Sequence, residues 1–281
     1  MFDRREKNAE IFKDTEQQYR SNNELKAAIK KSISEQVFIS ADESCEISGS
    51  LEKVGEVVVT SAKTFEAGRK YANQGKKVCV LNFASATNPG GGVKNGSSAQ
   101  EESLCRCSTL YPCLNELYEV FYIPHREAHN ALYNDDCIFT PGVKVFKSED
   151  DFAEMLPENE WWDVDVITCA APNLRAVPSN AMNPCAGEKV NISKAELREL
   201  LRKRIGRIFE VAIRSKADAL VLGAFGCGAF KNPPEVVAGV FAEYTEKYRE
   251  YFDVIEYAVY HKEYEKENYE AFVKAMKKWE E

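Results

Sequence analysis

No stretch of the sequence approaches the roughly 20 consecutive apolar residues of a membrane span. Its opening, MFDRREKNAEIFKDTEQQYR, is charged and lacks the apolar core of a secretory signal. No membrane partner is expected, and the expected location is cytoplasmic. Nine cysteines stand at 45, 79, 105, 107, 113, 137, 169, 185 and 227, an odd number without a CxxC pair, so free thiols in a reducing compartment are expected. Histidine is scarce: His125 and His129 have helical i,i+4 spacing, but Arg126 stands where a zinc protease needs Glu, and no metal is expected. Basic charge is also short, with 37 Lys and Arg against 45 Asp and Glu, a net charge of −8. That balance argues against non-specific nucleic-acid binding. It still permits an anionic ligand, because helix N-termini hold phosphate without any Lys or Arg. No Gly-Lys-Ser/Thr occurs, so there is no P-loop, and no internal repeat or low-complexity linker is present.

What is present is a large apolar core. Hydrophobic residues make up 44% of 281, enough for one α/β domain with a decorated end. Residues 1–36 read as helix with charges between widely spaced apolar positions, either a docked extension or a solvated tail. From Gly55 onward strands alternate with helices. Glu56–Thr60, Lys77–Phe83, Trp161–Ala170, Ala219–Leu222 and Val254–Tyr260 read as strands. Ile138–Thr140 and Val143–Phe146 read as two more around a turn at Pro141-Gly142. Helices are expected over Thr64–Asn73, Ala99–Val120, Ser193–Ser215, from Pro233-Pro234 onward, and Tyr264–Trp279. Ser193 with Glu196 forms a capping box. The acidic run Glu149-Asp150-Asp151 reads as a solvated loop. Continuous apolar strands between helices indicate an α/β sheet covered on both faces. Ligands in such folds bind at loops leaving strand carboxyl ends. Three loops qualify: those after Phe83, after Ala170 (Ala171-Pro172-Asn173), and after Leu222.

The loop after Phe83 carries Gly90-Gly91-Gly92 and leads into a helix beginning at Gln100-Glu101-Glu102. Each glycine loses extra backbone entropy on folding. Three in a row suit a backbone that approaches a ligand closely, next to a helix N-terminus that attracts anions. The loop after Leu222 carries Gly223, Gly226 and Gly228 and ends at Phe230. It has the strand–loop–helix context of a phosphate site but not the Rossmann spacing, whose third Gly would fall on Lys231. Together the two loops suit a clasp around one phosphorylated ligand.

Gly90-Gly91-Gly92, seven residues, then Gln100-Glu101-Glu102, with Asn82-Phe83-Ala84 ahead and Gly226-Cys227-Gly228-Ala229-Phe230 later, resembles the microbial type of poly(ADP-ribose) glycohydrolase in the macrodomain superfamily. The resemblance covers roughly residues 1–260. It implies a three-layer α/β/α macrodomain with a mixed central sheet over 51–281, and a helical N-terminal extension over 1–50 packed on it. It implies a glycosidase that needs no cofactor and binds ADP-ribose and protein-attached poly(ADP-ribose), reversing ADP-ribosylation. By the same resemblance Glu102 is the acid/base and Glu101 positions the ribose hydroxyls. Gly90, Gly91 and Gly92 pass close to ribose and phosphates. Gln100 joins the substrate contacts. Gly226, Cys227 and Gly228 wrap the diphosphate, followed by Ala229, and Phe230 packs on the adjoining ribose. Either Asn88 or Ser85 holds the ribose.

Cleaving a ribose–ribose bond needs a proton for the departing oxygen and water for the anomeric carbon. Adjacent residues in a helical first turn point about 100° apart, so Glu101 and Glu102 cannot flank one bond. One carboxyl therefore handles the proton in both steps and the other orients. Two further readings stand beside this one: a mono-ADP-ribosyl hydrolase acting on protein or nucleic acid, and a non-catalytic ADP-ribose-binding module. Retention of both glutamates favours catalysis.

Overall fold

The computed structural model describes residues 4–43, 47, 53, 55–179 and 183–279. Cys45 and Met1–Asp3 of the expected first helix lie outside them. Two helices come first, α1 (Arg4–Ser21) and α2 (Asn23–Glu35). The single helical run read over 1–36 breaks at Asn22, whose Oδ1 accepts from the N–H groups of Glu24 at 2.8 Å and Leu25 at 3.1 Å. A side chain that satisfies these donors starts a new helix rather than continuing the old one. Asn8, Phe12, Thr15 and Tyr19 recur at helical spacing and are the buried stripe of α1.

The strands are β1 (Val37–Ile39), β2 (Glu56–Thr60), β3 (Val78–Phe83), β4 (Cys137–Val145), β5 (Trp162–Cys169), β6 (Ala219–Leu222) and β7 (Val254–Ala258). They form one sheet in the order β1-β4-β5-β3-β6-β7-β2. From β5 to β2 all neighbours are parallel, whereas β4 runs antiparallel to β5 and β1 antiparallel to β4. The sheet is therefore mixed. Its far edge, β1, comes from the segment read as an extension.

The pleat sends alternate side chains to opposite faces. Val78 and Val80 of β3 face Phe65 of α3 (Thr64–Ala72), Leu104 of α4 (Gln100–Cys107) and Leu110 of α5 (Leu110–Glu116). Cys79 and Leu81 face Leu201 and Ile208 of α7 (Lys194–Arg214), Phe241 of α8 (Pro234–Tyr248) and, beyond it, Phe272 of α9 (Glu267–Met276). A strand buried on both sides needs apolar residues at every position, which is why β3, β5 and β6 read as continuous apolar runs. The capping box closes as expected. Ser193 Oγ accepts from Glu196 N at 3.2 Å, and Glu196 Oε2 accepts from Ser193 N at 2.9 Å.

Several sequence expectations give way to tertiary contacts. Pro141-Gly142 is not a turn: β4 runs unbroken through it, and the register with β5 shifts between Thr140 and Val143. Proline cannot donate to the ladder, so a bulge absorbs it. Gly142 takes a φ of 63° there and donates its N–H to Asp165 Oδ1 at 3.0 Å. The helix read over 99–120 breaks after Cys107, where Thr109 N donates to Lys144 O at 3.0 Å and Ser108 bridges to Val145. A π-helical turn, Tyr118–Tyr122, then leads into α6 (Ile123–Ala128). Glu149 is not part of a solvated loop. Its carboxylate accepts from Phe65 N at 2.6 Å and Ser103 Oγ at 3.2 Å, joining the start of α3 to α4. Burial pushes Glu149 up to about 7 against the pull of those donors. The last helix starts at Glu267 rather than Tyr264.

Because β5, β3 and β6 are adjacent and parallel, the three loops singled out in the sequence leave the same edge of the sheet side by side.

Candidate active site

The triple-glycine loop folds back over the first turn of α4. Gly90 and Gly91 take φ values of 64° and 57°, a left-handed region open to glycine at little cost. A Cβ on Gly91 would stand 2.5 Å from Glu102 Oε1, so this glycine leaves room directly over the carboxyl group. The next residue clamps it: Gly92 N donates to Glu102 Oε1 at 2.8 Å. Glu102 Oε2 is buried and has no hydrogen-bond partner among the described residues.

Glu101 is held at both oxygens. Oε2 accepts from Ser85 N at 2.7 Å and Oε1 from Asn82 Nδ2 at 3.3 Å. Its burial, and the charge of neighbouring Glu102, push its pKa well above the usual carboxylate range, against the pull of those N–H donors. Gln100 seats the helix. Its Oε1 accepts from Phe83 N at 2.9 Å, and its Nε2 donates to Leu81 O at 2.7 Å and Thr64 Oγ1 at 3.1 Å. Both ends of its amide are engaged with β3 and α3, so its role in this structure is to fix where α4 begins.

α1 supports this loop from behind. Asn8 Nδ2 donates to Gly96 O at 3.1 Å and Thr15 Oγ1 to Arg106 O at 2.6 Å. Phe12 packs edge-on against Tyr111 with centroids 5.1 Å apart, and Tyr111 lies under Gly90, where a Cβ would meet its ring at 2.8 Å.

The second glycine loop forms the opposite wall. Gly226 has a φ of 73°, and a Cβ there would collide with Ala171 and Asn232. Asn232 Nδ2 ties this loop to the one after β5, donating to Pro172 O at 2.7 Å and Gly226 O at 3.1 Å. Cys227 is buried, and burial pushes its thiol up to about 12, so it is no nucleophile. Gly228 and Ala229 are exposed, and a Cβ on Gly228 would meet nothing within 4 Å. Phe230 is half-buried against Ala86, Tyr133 and Ala170. Residues of all three loops thus meet at one place.

The model of the family described as microbial-type PARG, catalytic domain, matches residues 6–148. The chain belongs to this family. Poly(ADP-ribose) glycohydrolase from Thermomonospora curvata is 28% identical and superposes with a TM-score of 0.84 over 96% of this chain and 100% of that one. The same enzyme bound to the inhibitor ADP-HPD gives 0.80 over 96% and 99%, again at 28% identity. The glycohydrolase from Deinococcus radiodurans in complex with ADP-ribose is 32% identical, with a TM-score of 0.72 over 89% of this chain and 97% of that one. A search of curated proteins returns no match.

Within this family frame, Ser85 and Asn88 separate. Ser85 Oγ accepts from Asn88 N at 3.2 Å, while Asn88 Oδ1 accepts from Arg126 Nη1 at 3.3 Å. His125 is buried, with its two ring nitrogens against Phe121 O and Asn134 Oδ1. Among the described residues, no group of three or more His, Cys, Asp or Glu is placed to hold a metal ion, and no helix is long and apolar enough to cross a membrane. Sequence reasoning overlooked Tyr133, Arg126 and Arg175, which the fold brings to the same edge. The only signal for them was their place in or near unassigned loops.

Proposed function

We propose that the chain hydrolyses the ribose–ribose O-glycosidic bond at the ends of poly(ADP-ribose) and releases ADP-ribose, with Glu102 as acid/base. One observation carries this reading. Of the four oxygens of the adjacent carboxyl groups, Glu102 Oε2 alone is buried without a partner among the described residues, on a carboxyl group whose Oε1 lies close against Gly91 and accepts from Gly92 N. Glu101 has both oxygens engaged and suits an orienting role toward ribose hydroxyls.

Protonated Glu102 gives its proton to the departing ribose oxygen as the C–O bond breaks. A water adds to the anomeric carbon, and the Glu102 carboxylate takes the proton that water loses. One water is consumed and the carboxyl ends protonated, ready for a second cycle. Gly228 and Ala229 leave exposed backbone for the diphosphate, and Phe230 offers an apolar face to a ribose. The net charge of −8 gives no basic track for a long polyanion, which favours recognition of a terminal unit.

The test is a time course on automodified polymer, mono-ADP-ribosylated protein and ADP-ribosylated nucleic acid. ADP-ribose appearing from polymer as the sole early product supports the proposal. Early release of oligomers contradicts terminal attack. Turnover of the mono-modified substrates alone makes the chain a mono-ADP-ribosyl hydrolase, and binding without turnover makes it a reader.

A further inference from the structure

Arg106 stands one helical turn after Glu102 on α4 and has no part in the proton steps above. Residues four apart on a helix share a face, and a long helical side chain leans back over the turn before it. Arg106 reaches the end of the triple-glycine loop in this way: its Nη1 donates to Ser97 O at 2.6 Å. The residue is 8% exposed. A guanidinium has donors and no acceptor and keeps its charge inside a protein, so burying one is costly unless its surroundings use it.

From Ser97 the contacts lead back to Glu102. Ser97 N donates to Gly92 O at 3.1 Å, and Gly92 N donates to Glu102 Oε1 at 2.8 Å. This chain of bonds starts and ends on α4, one turn apart, with the loop between. From the other side α1 holds the same loop: Asn8 Nδ2 donates to Gly96 O at 3.1 Å, and a Cβ on Gly96 would collide with Arg5 O. Of these two holds, that of Arg106 ties the height of the Gly92 N–H to the helix that carries Glu102. Charge adds to position. Burial lowers the Arg106 pKa, and the neighbouring acidic groups, Cys107 and Glu102 first among them, act the other way. Attraction between a cation and a carboxylate is mutual. The Glu102 carboxylate thus faces a like charge in Glu101 and an opposite one in Arg106.

We propose that Arg106 is a positioning residue for Glu102: through Ser97 it sets where the Gly92 N–H stands against Glu102 Oε1, and its charge favours the carboxylate left once Glu102 has given up its proton. This rests on Glu102 as acid/base, the reading given above. A carboxyl group that serves first as acid and then as base needs its anion stabilised at the moment of transfer, which makes the effect one on turnover and not on binding.

The test measures kcat and KM on polymer, and ADP-ribose affinity, for wild type, Arg106→Gln and Arg106→Lys, each as the full chain. In Arg106→Gln kcat should fall at least about tenfold, the rate equivalent of one hydrogen bond to a charged group. KM and ADP-ribose affinity should change less than about threefold, as expected of an interaction that matters only in the transition state. Arg106→Lys, which keeps the charge, should recover part of the rate. Added to Glu102→Gln, Arg106→Gln should slow the residual release less than about threefold, because a residue that acts through Glu102 has nothing left to act on. An unchanged kcat in Arg106→Gln overturns the proposal. So does a kcat lost in step with affinity, a Lys variant no faster than the Gln variant, or a full further loss on top of Glu102→Gln. Should Arg106→Gln be unfolded at the assay temperature, Arg106→Lys takes its place: a lower kcat at unchanged KM supports the proposal, and wild-type kcat overturns it. Polymer cleavage by wild type with unaffected variants overturns this proposal and leaves the glycohydrolase reading standing. Turnover of mono-ADP-ribosylated protein alone sinks that reading, and the same comparison on that substrate then decides this one.

Discussion

At the scale of single residues, the proposed chemistry depends on how two neighbouring carboxyl groups differ. Glu101 is enclosed, doubly hydrogen-bonded and pushed well above its ordinary value of 4.5 by burial and by Glu102. A carboxyl group raised on folding contributes stability that is full below its unfolded value and is lost as pH rises through its folded value. Glu101→Gln should therefore raise the thermal midpoint well above neutrality, with the gain over wild type disappearing below 4.5. Thermal melts of both proteins across pH check this, and no gain at high pH would show that the enclosed carboxyl carries no such cost. That the triple glycine lies against this pair was legible in the sequence, because GGG and QEE sit at fixed spacing in one loop and helix; the proposed roles come from the family resemblance and from the adjacency of the two carboxyl groups. Tyr133 and Arg175 were not legible. One precedes β4 in a stretch without periodicity, the other follows β5. They become neighbours of Phe230 only through the order β5-β3-β6, which no local pattern encodes.

At the scale of elements, α1 is a support for the triple-glycine loop and not a solvated tail. Phe12, 1% exposed, transmits that support through Tyr111 to Gly90. Phe12→Ala should cost about 3–5 kcal/mol in urea unfolding, and turnover should fall at temperatures where the variant is still folded. A cost below about 1 kcal/mol, or full turnover, would make the helix dispensable to the loop. Most strands and helices were readable, since a doubly covered strand is apolar throughout and Ser193 with Glu196 marks a helix start. The exceptions share a cause. Pro141-Gly142 has turn chemistry, yet pairing with β5 keeps it in a strand with a bulge. Residues 99–120 have helical periodicity, yet Ser108 and Thr109 pair with β4 and break it. The break at Asn22 in the helix read over 1–36 has a local cause instead, its side chain capping α2.

At the scale of the whole molecule, the sheet gathers three loops at one edge on a surface of net charge −8. Binding should rest on local donors in the cleft and not on a field spread over the protein. Affinity for polymer should then fall by no more than about tenfold between roughly 50 and 200 mM salt, where a protein neutralising many phosphates loses ≈ 10³–10⁵. It should also be independent of chain length. A steep salt dependence, or affinity growing with length, would reveal a polymer track elsewhere. The division of labour between the two glutamates is tested most directly by the rate of ADP-ribose release from polymer by wild type and Glu102→Gln, with ADP-ribose binding measured in parallel. Release should fall at least about 100-fold while binding persists. Equal release by the two proteins would contradict the assignment of proton transfer to Glu102.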